Sequence, residues 1–205
     1  MGDMLIEHAG RRPWVHPDAY VAPTAVLSGD VRVGADSRVL FGAVVSDDGG
    51  LVEIGRRCVV MEHAVLRGTG RHAVTVGDDV LIGPHAYVSG ASLADAVFVA
   101  TGAMVFNGAR MGAASSVALG GAVHIGCRLE PGARVPIGWV AVGDPARLHP
   151  PDHVDAIRDA LEDQGGFLPF VFGTDPSLAR PEAMKAAMGR YVRGLEAHKS
   201  DQVIG

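Results

Sequence analysis

Residues 76–135 read VGDDVLIGPHAYVSGASLADAVFVATGAMVFNGARMGAASSVALGGAVHIGCRLEPGARV, with an aliphatic side chain at almost every sixth position. The series runs Val76, Ile82, Val88, Leu93, Val99, Val105, Met111, Val117, Val123, Leu129, Val135, one residue being missing before Leu93. It extends backwards to Val15, Val21, Leu27, Val33, Val39, Val45 and Leu51, resets by three at Ile54, continues through Val60 and Leu66, and resets by four more at Val76. The fourth position after each aliphatic is small almost throughout, as at Ala25, Ala43, Cys58, Ala64, Ala86, Ala103, Ala109 and Cys127. A period of six fits neither a single helix nor a hairpin meander. It fits short strands joined by sharp turns, each strand pointing one large and one small side chain inward. Three such strands close a triangular coil of 18 residues, and stacked coils bury a continuous apolar column about 4.8 Å per step. Glycine directly follows many of the aliphatics (Gly34, Gly55, Gly77, Gly83, Gly112), and the reading assigns glycine to positive φ at the corners. The two phase breaks, near 46–53 and 68–75, read as loops bulging from a corner.

Composition agrees with such a solenoid. Only 5% of the 205 residues are aromatic, yet 28 are glycine. A net charge of −5 argues against nucleic acid or an anionic membrane surface as partner. No apolar run approaches the ~18 residues of a membrane span. The opening MGDMLIEHAGRRPW lacks a secretory apolar stretch, so the expected compartment is cytoplasmic. The two cysteines fall in the small inward slot and read as core filler.

The stretches VHPDAYVAPTAVLSGDVRVG (15–34), VEIGRRCVVMEHAVLRG (52–68), VTVGDDVLIGPHAYVSG (74–90) and VAVGDPARLHP (140–150) resemble the gamma-class carbonic anhydrase family of the hexapeptide-repeat superfamily. The resemblance covers residues 12–149, about two thirds of the chain. It implies an all-β fold, a left-handed parallel β-helix, and a homotrimer with sites at subunit interfaces. In the family a catalytic zinc is held by three histidines. The matching positions here hold Arg67, Pro84 and Ser89, none a plausible zinc ligand. The family's catalytic arginine and active-site glutamine map to Val45 and Met61, while two acids persist as Asp47 and Glu62.

The phase assigns columns. One reads Gly42, His63, His85, Gly102, Gly120, so His63 and His85 are expected to stack on adjacent coils. Another reads Ser46, Arg67, Ser89, Phe106, His124. His85 and His63 are the acid/base candidates, Glu62 orients a histidine or accepts a proton, and Arg67 anchors an anion by a two-point contact. Arg71, His72, Tyr87, Ser89, Asn107 and His124 complete the expected substrate-binding set, with the basic loop 68–72 closing over the ligand. A metal, if present, shifts to His63 and His85. The leading reading is a diverged enzyme handling a small anionic metabolite in an intersubunit cleft. Three alternatives stand beside it: a coenzyme A-dependent acyltransferase with His85 or His124 as base, a non-catalytic assembly trimer, and a zinc lyase with a shifted histidine site. An Arg67–Glu62 ion pair between subunits is the structural counterpart of the anion-anchor role.

The six-residue phase stops after Pro150–Pro151, which divides the chain into a β-helix domain (1–149) and a helical arm (150–205). Asp152 is expected to cap a helix carrying Val154, Ile157 and Leu161 on one stripe. Gly165–Gly166 ends it. FLPFVFGTDP then reads as a Phe-rich loop with Phe167, Phe170 and Phe172, too apolar to remain solvated. It is expected to dock on the β-helix or a neighbour, as trimer glue or as a cleft lining. A second helix over about 177–198 is expected to gather Met184, Met188, Tyr191, Val192 and Leu195, and Ser200–Gly205 to fray.

Overall fold

A computed structural model describes residues 4–204; residues 1–3 and Gly205, with the outermost ends of the two expected domains, lie outside it. Short parallel strands stack in three sheets, and successive strands step from one sheet to the next. The largest sheet carries eight parallel strands, from Met4–Glu7 through Val44–Asp48, Val65–Thr69 and Tyr87–Ser89 to Val140–Val142. The other two carry seven each. Register follows the sequence phase. Leu27 pairs with Val45, Val45 with Leu66, Leu66 with Val88, Val88 with Val105 and Val105 with Val123. All six side chains are fully buried, with Ala43, Ala64, Ala86 and Ala103 filling the narrower slots. No helix among the described residues is long and apolar enough to cross a membrane.

The corners explain the glycines differently from the sequence reading. Left-handed backbone occurs in columns such as Gly42, His63, His85, Gly102, Gly120, Gly138 and Asp36, Arg57, Asp79, Ala96, Ala114, Gly132. Gly34, Gly55, Gly77, Gly83 and Gly112 are not among these positive-φ residues. They are small because coils approach there: a Cβ on Gly34 would lie 2.5 Å from the Gly55 carbonyl oxygen, and one on Gly55 2.4 Å from that of Gly77.

The phase breaks are only partly loops. Their first residues lengthen two strands, so that Arg67 pairs with Ser46, Gly68 with Asp47 and Thr69 with Asp48. Leu51 leaves the inward series, and Val52 and Ile54 point into the core instead. Cys58 and Cys127 are free and buried, and burial raises both thiols, Cys127 to about 12.

The arm departs from expectation at several points. Helix α1 (Val154–Glu162) starts from His153 with no side-chain cap, so Asp152 does not serve as one. The Phe-rich segment is a short helix, α2 (Phe167–Phe172). Pro169 sits in its first turn, where a missing N–H costs no helical bond. Helix α3 (Arg180–Leu195) begins with Pro181 in its first turn and runs into a 3₁₀ turn, Glu196–Ser200. It buries Ala183 and Ala187, with Tyr191 partly covered on the same i, i+4 line. Met184, Met188, Val192 and Leu195 face outward. The tail is not frayed at Gln202–Val203, which pairs antiparallel with Met4–Glu7.

These two uses of glycine are separable. A Cβ on Gly102 meets nothing within 4 Å, so Gly102→Ala isolates the left-handed backbone cost, about 1–2 kcal/mol. Gly34→Ala forces backbone against backbone and is expected to cost more. Urea denaturation of both variants checks this; an equal loss would contradict the close-approach role.

Candidate functional site

The lengthened strands build one wall of a cavity, and the arm roofs it. Arg67, Thr69, Tyr87, Ser89, Phe106 and Asn107 project from the sheet, with Asp48 beside them. Phe167, Val171 and Phe172 of α2 and Tyr191 of α3 close the other side, enclosing about 270 Å³. The arm has a built seat. Gly108 and Gly126 form a flat patch where an added Cβ would lie 2.9 and 3.3 Å from the Phe170 ring. His72 stacks on the same ring, with centroids 5.6 Å apart. Arg190 of α3 donates to the Phe172 and Gly173 carbonyls and ties α3 to the end of α2.

Arg67 is the centre of the wall. Its Nε donates to the Asp48 carboxylate and its Nη2 to the Tyr191 hydroxyl. The guanidinium also lies 5.3 Å from the Tyr191 ring centroid. Burial works to lower its pKa, but the Tyr191 and Asp48 contacts more than offset this, and the group is held charged above its ordinary value. Asp48 in turn accepts from His198 at 3.2 Å. Arg67 is therefore not a free anion anchor, and within its own chain its carboxylate partner is Asp48. It is already neutralised within the chain, and an incoming anion meets the remaining guanidinium N–H groups in competition with Asp48.

The expected substrate-binding residues gather here to different degrees. Arg67, Arg71, Tyr87, Ser89 and Asn107 all border the cavity. Ser89 and Asn107 are buried, and Asn107 donates to the Thr69 hydroxyl at 3.1 Å. Loop 68–72 does not close over an open cleft. Thr69 and His72 exchange backbone hydrogen bonds, and Arg71 reaches the Phe170 carbonyl at 3.4 Å, so the loop holds the arm. His124 lies behind the wall. It stacks on Phe106 at 5.3 Å and meets Phe167 edge-on, while its Nδ1 accepts from the Ile125 N–H.

His63, His85 and Glu62 are not part of the cavity. The two imidazoles stack at 5.2 Å and 14° as the column requires, on an exposed corner. Their ring arrangement brings no third ligand within reach among the described residues, so the shifted metal site at His63 and His85 is not assembled in the chain. The family's zinc position fits no better. Arg67 is cationic and committed, Pro84 has no donor atom, and Ser89 offers only a buried hydroxyl. Val45, at the place of the family's arginine, is a fully buried core residue. Asp47 is buried too, and accepts from the backbone N–H of Asp30 and Gly49, a structural task.

Sequence reasoning missed Asp48, Phe106's role as wall, Val171 and the Tyr191 contact. The glycine column Gly90, Gly108, Gly126 was the available signal, because a run of bare corners 18 residues apart leaves a flat strip for an aromatic ring.

Two outcomes follow from this geometry. Arg67→Met leaves Asp48 without its cation and is expected to destabilise by about 1–3 kcal/mol, against about 0.5–1.5 for Tyr191→Phe. Urea midpoints check the order, and a larger loss in Tyr191→Phe would contradict it. Burial also pushes the His124 pKa below 6.5. The unfolded chain then binds a proton that the folded chain refuses, so stability falls as pH drops below about 6.5. In His124→Gln that slope is expected to flatten, and an unchanged thermal-unfolding profile between pH 7 and 5 would contradict the assignment.

No family model matches the chain. It is 30% identical over 144 residues to gamma carbonic anhydrase 1, mitochondrial, of Arabidopsis thaliana, covering 67% of this chain and 50% of that protein. It is 30% identical over 186 residues to the carboxysome assembly protein CcmM of Synechococcus elongatus, covering 84% of this chain and 33% of that one. The chain thus spans half or less of these curated relatives. Among solved structures, a hexapeptide transferase family protein from Anaplasma phagocytophilum superposes with a TM-score of 0.53 at 21% identity, over 98% of this chain and 99% of that chain. At that identity the likeness is one of fold. Stacked six-residue repeats, three parallel sheets and these relatives together make the chain a gamma-carbonic-anhydrase-like protein of the hexapeptide-repeat, left-handed β-helix superfamily.

Proposed function

We propose that the roofed cavity binds a small metabolite with an apolar body and a single anionic head, and that the chain is a diverged enzyme rather than a zinc-dependent carbonic anhydrase. The observation that carries this reading is the replacement of a metal-ligand position by Arg67, locked by Asp48 and Tyr191 inside an aromatic enclosure. Arg67 and Asp48 cancel, and exposed Arg71 at the rim, bonded only to a carbonyl, adds one positive charge that no carboxylate neutralises. A single negative charge on the ligand therefore balances the site. Phe106, Phe167 and Phe172 supply apolar contact, and Ser89 and Asn107 supply directed hydrogen bonds. The groups positioned to move a proton at the ligand are the hydroxyls of Tyr191 and Tyr87, with His124 behind Phe106.

His63, His85 and Glu62 take a different place in this reading. They lie on the corner where Phe41, Leu119 and Ile137, at the same step of other coils, are more than half exposed. That edge suits contact between copies, and a homotrimer is the assembly we propose. The carboxysome assembly relative favours a second reading, in which the outward Met184, Met188 and Val192 face of α3 meets another protein and the trimer is structural. The acyltransferase reading rests on fold likeness alone.

Thermal-shift titration with a panel of small aromatic and aliphatic carboxylates, each beside its neutral amide, separates these. The expected result is saturable stabilisation by at least one acid and not by its amide, worth about 2.7 kcal/mol at a hundredfold excess over Kd. Val171→Trp, which fills the cavity, is expected to abolish it. Absence of stabilisation across the panel, or stabilisation that survives Val171→Trp, would count against the cavity and favour the structural reading.

A further inference from the structure

Away from the roofed cavity, the two ends of the chain bring a second set of side chains together. His8 follows the first strand, Met4–Glu7, while His198 and Asp201 lie in and just after the 3₁₀ turn that ends the arm. The antiparallel pairing of Gln202–Val203 with Met4–Glu7 fixes these segments against each other. His8 is 4% exposed. Its Nδ1 lies 2.6 Å from one oxygen of Asp201, and the Nδ1 of His198 lies 2.9 Å from the other. The two imidazoles are stacked, with centroids 4.2 Å apart. The three residues can offer ligand atoms that all lie within 4.8 Å of one another, and no other such trio occurs among the described residues.

We infer that His8, His198 and Asp201 form a binding site for a divalent transition metal of the zinc class. Three features point beyond a simple hydrogen-bonded latch. First, His198 faces carboxylates at both ring nitrogens, Asp201 at Nδ1 and Asp48 at Nε2, 3.2 Å away. A neutral imidazole has one N–H and cannot donate to both, so the ring needs a second positive charge, a proton on Nδ1 in the bare chain or a metal ion in its place. With a cation on Nδ1, the single proton sits on Nε2 and donates to Asp48, the carboxylate support typical of metal-bound histidine. Second, two imidazoles and one carboxylate are a donor set that suits zinc and its neighbours while leaving a coordination position open. Third, His8 and His198, though not Asp201, border a cavity of about 250 Å³ shared with Arg11, which gives solvent a way to the histidine pair. Asp48 and Tyr191 belong to the walls of both this cavity and the roofed one. The metal site does not depend on what the roofed cavity binds.

Titration of metal-free full-length protein with Co²⁺, followed by Zn²⁺ displacement, tests the site directly. One Co²⁺ per chain is expected, with visible absorption bands of low-symmetry coordination that vanish on adding one equivalent of Zn²⁺. His8→Gln and Asp201→Asn are each expected to weaken binding at least tenfold. Asp48→Asn, which removes the carboxylate support to His198 together with the Arg67 ion pair but none of the three ligands, is expected to weaken it by about 10–100-fold. The double variant His63→Gln/His85→Gln is expected to bind as the native chain does. Lack of stoichiometric Co²⁺ or Zn²⁺ binding would overturn the site and leave a hydrogen-bonded clasp between the chain ends. Native affinity in both His8→Gln and Asp201→Asn would overturn it as well. Should those variants not fold, X-ray absorption of the zinc-loaded native protein decides. Two imidazole nitrogens and a carboxylate oxygen are expected, and sulfur or a shell of oxygen alone would refute the assignment.

Discussion

Most coils turn their corners with left-handed backbone while the neighbouring coil lies one strand spacing away. That constraint organises the rest of the molecule. It sets where glycine is required for φ, where glycine is required for space, and which columns of outward side chains align. His63 and His85 occupy left-handed positions that Gly42, Gly102 and Gly120 hold in the same column. Their rings stack because the coil repeat leaves each no other direction. Gly42 makes room for this, since a Cβ there would strike the His63 ring at 2.5 Å. The histidine stack is thus a consequence of the scaffold before it is anything else.

The second organising event is an exchange of charge. A position that resembles a zinc ligand holds a guanidinium instead, which has no lone pair to give a metal. What it needs is a carboxylate and a hydroxyl, and the chain supplies Asp48 from a lengthened strand and Tyr191 from α3. The arm and the guanidinium go together: without Tyr191 and the aromatic side chains of α2, Arg67 would face solvent. Within one chain, the arm roofs a cavity over the Arg67–Asp48 pair.

The solenoid was legible because its contacts repeat. A residue meets its partner one coil away, so a six-residue phase with its two resets is enough to align Leu66 with Val88 and Arg67 with Ser89. The arm has no such rule. Arg67 and Tyr191 are 124 residues apart, His8 and Asp201 are 193 apart, and no periodic signal relates them. Helix α2 escaped notice because six residues give too short a window for a stripe, and Pro169 reads as a breaker unless it falls in the first turn. The face by which α3 is seated is hard to read for a related reason. Its seat is formed by the small residues Ala183 and Ala187, which let it approach closely, while the larger Met184 and Met188 stay outside.

The central claim is that Arg67, bridged to Asp48 and Tyr191 of its own chain, occupies the place of the ancestral metal. Anomalous diffraction from crystals of the full chain grown in zinc tests it most directly. The account expects the guanidinium between that carboxylate and that phenol, α2 lying over it, and no anomalous peak beside Ser89. A metal peak between Arg67 and Ser89, or a Tyr191 contributed by a different copy, would contradict it.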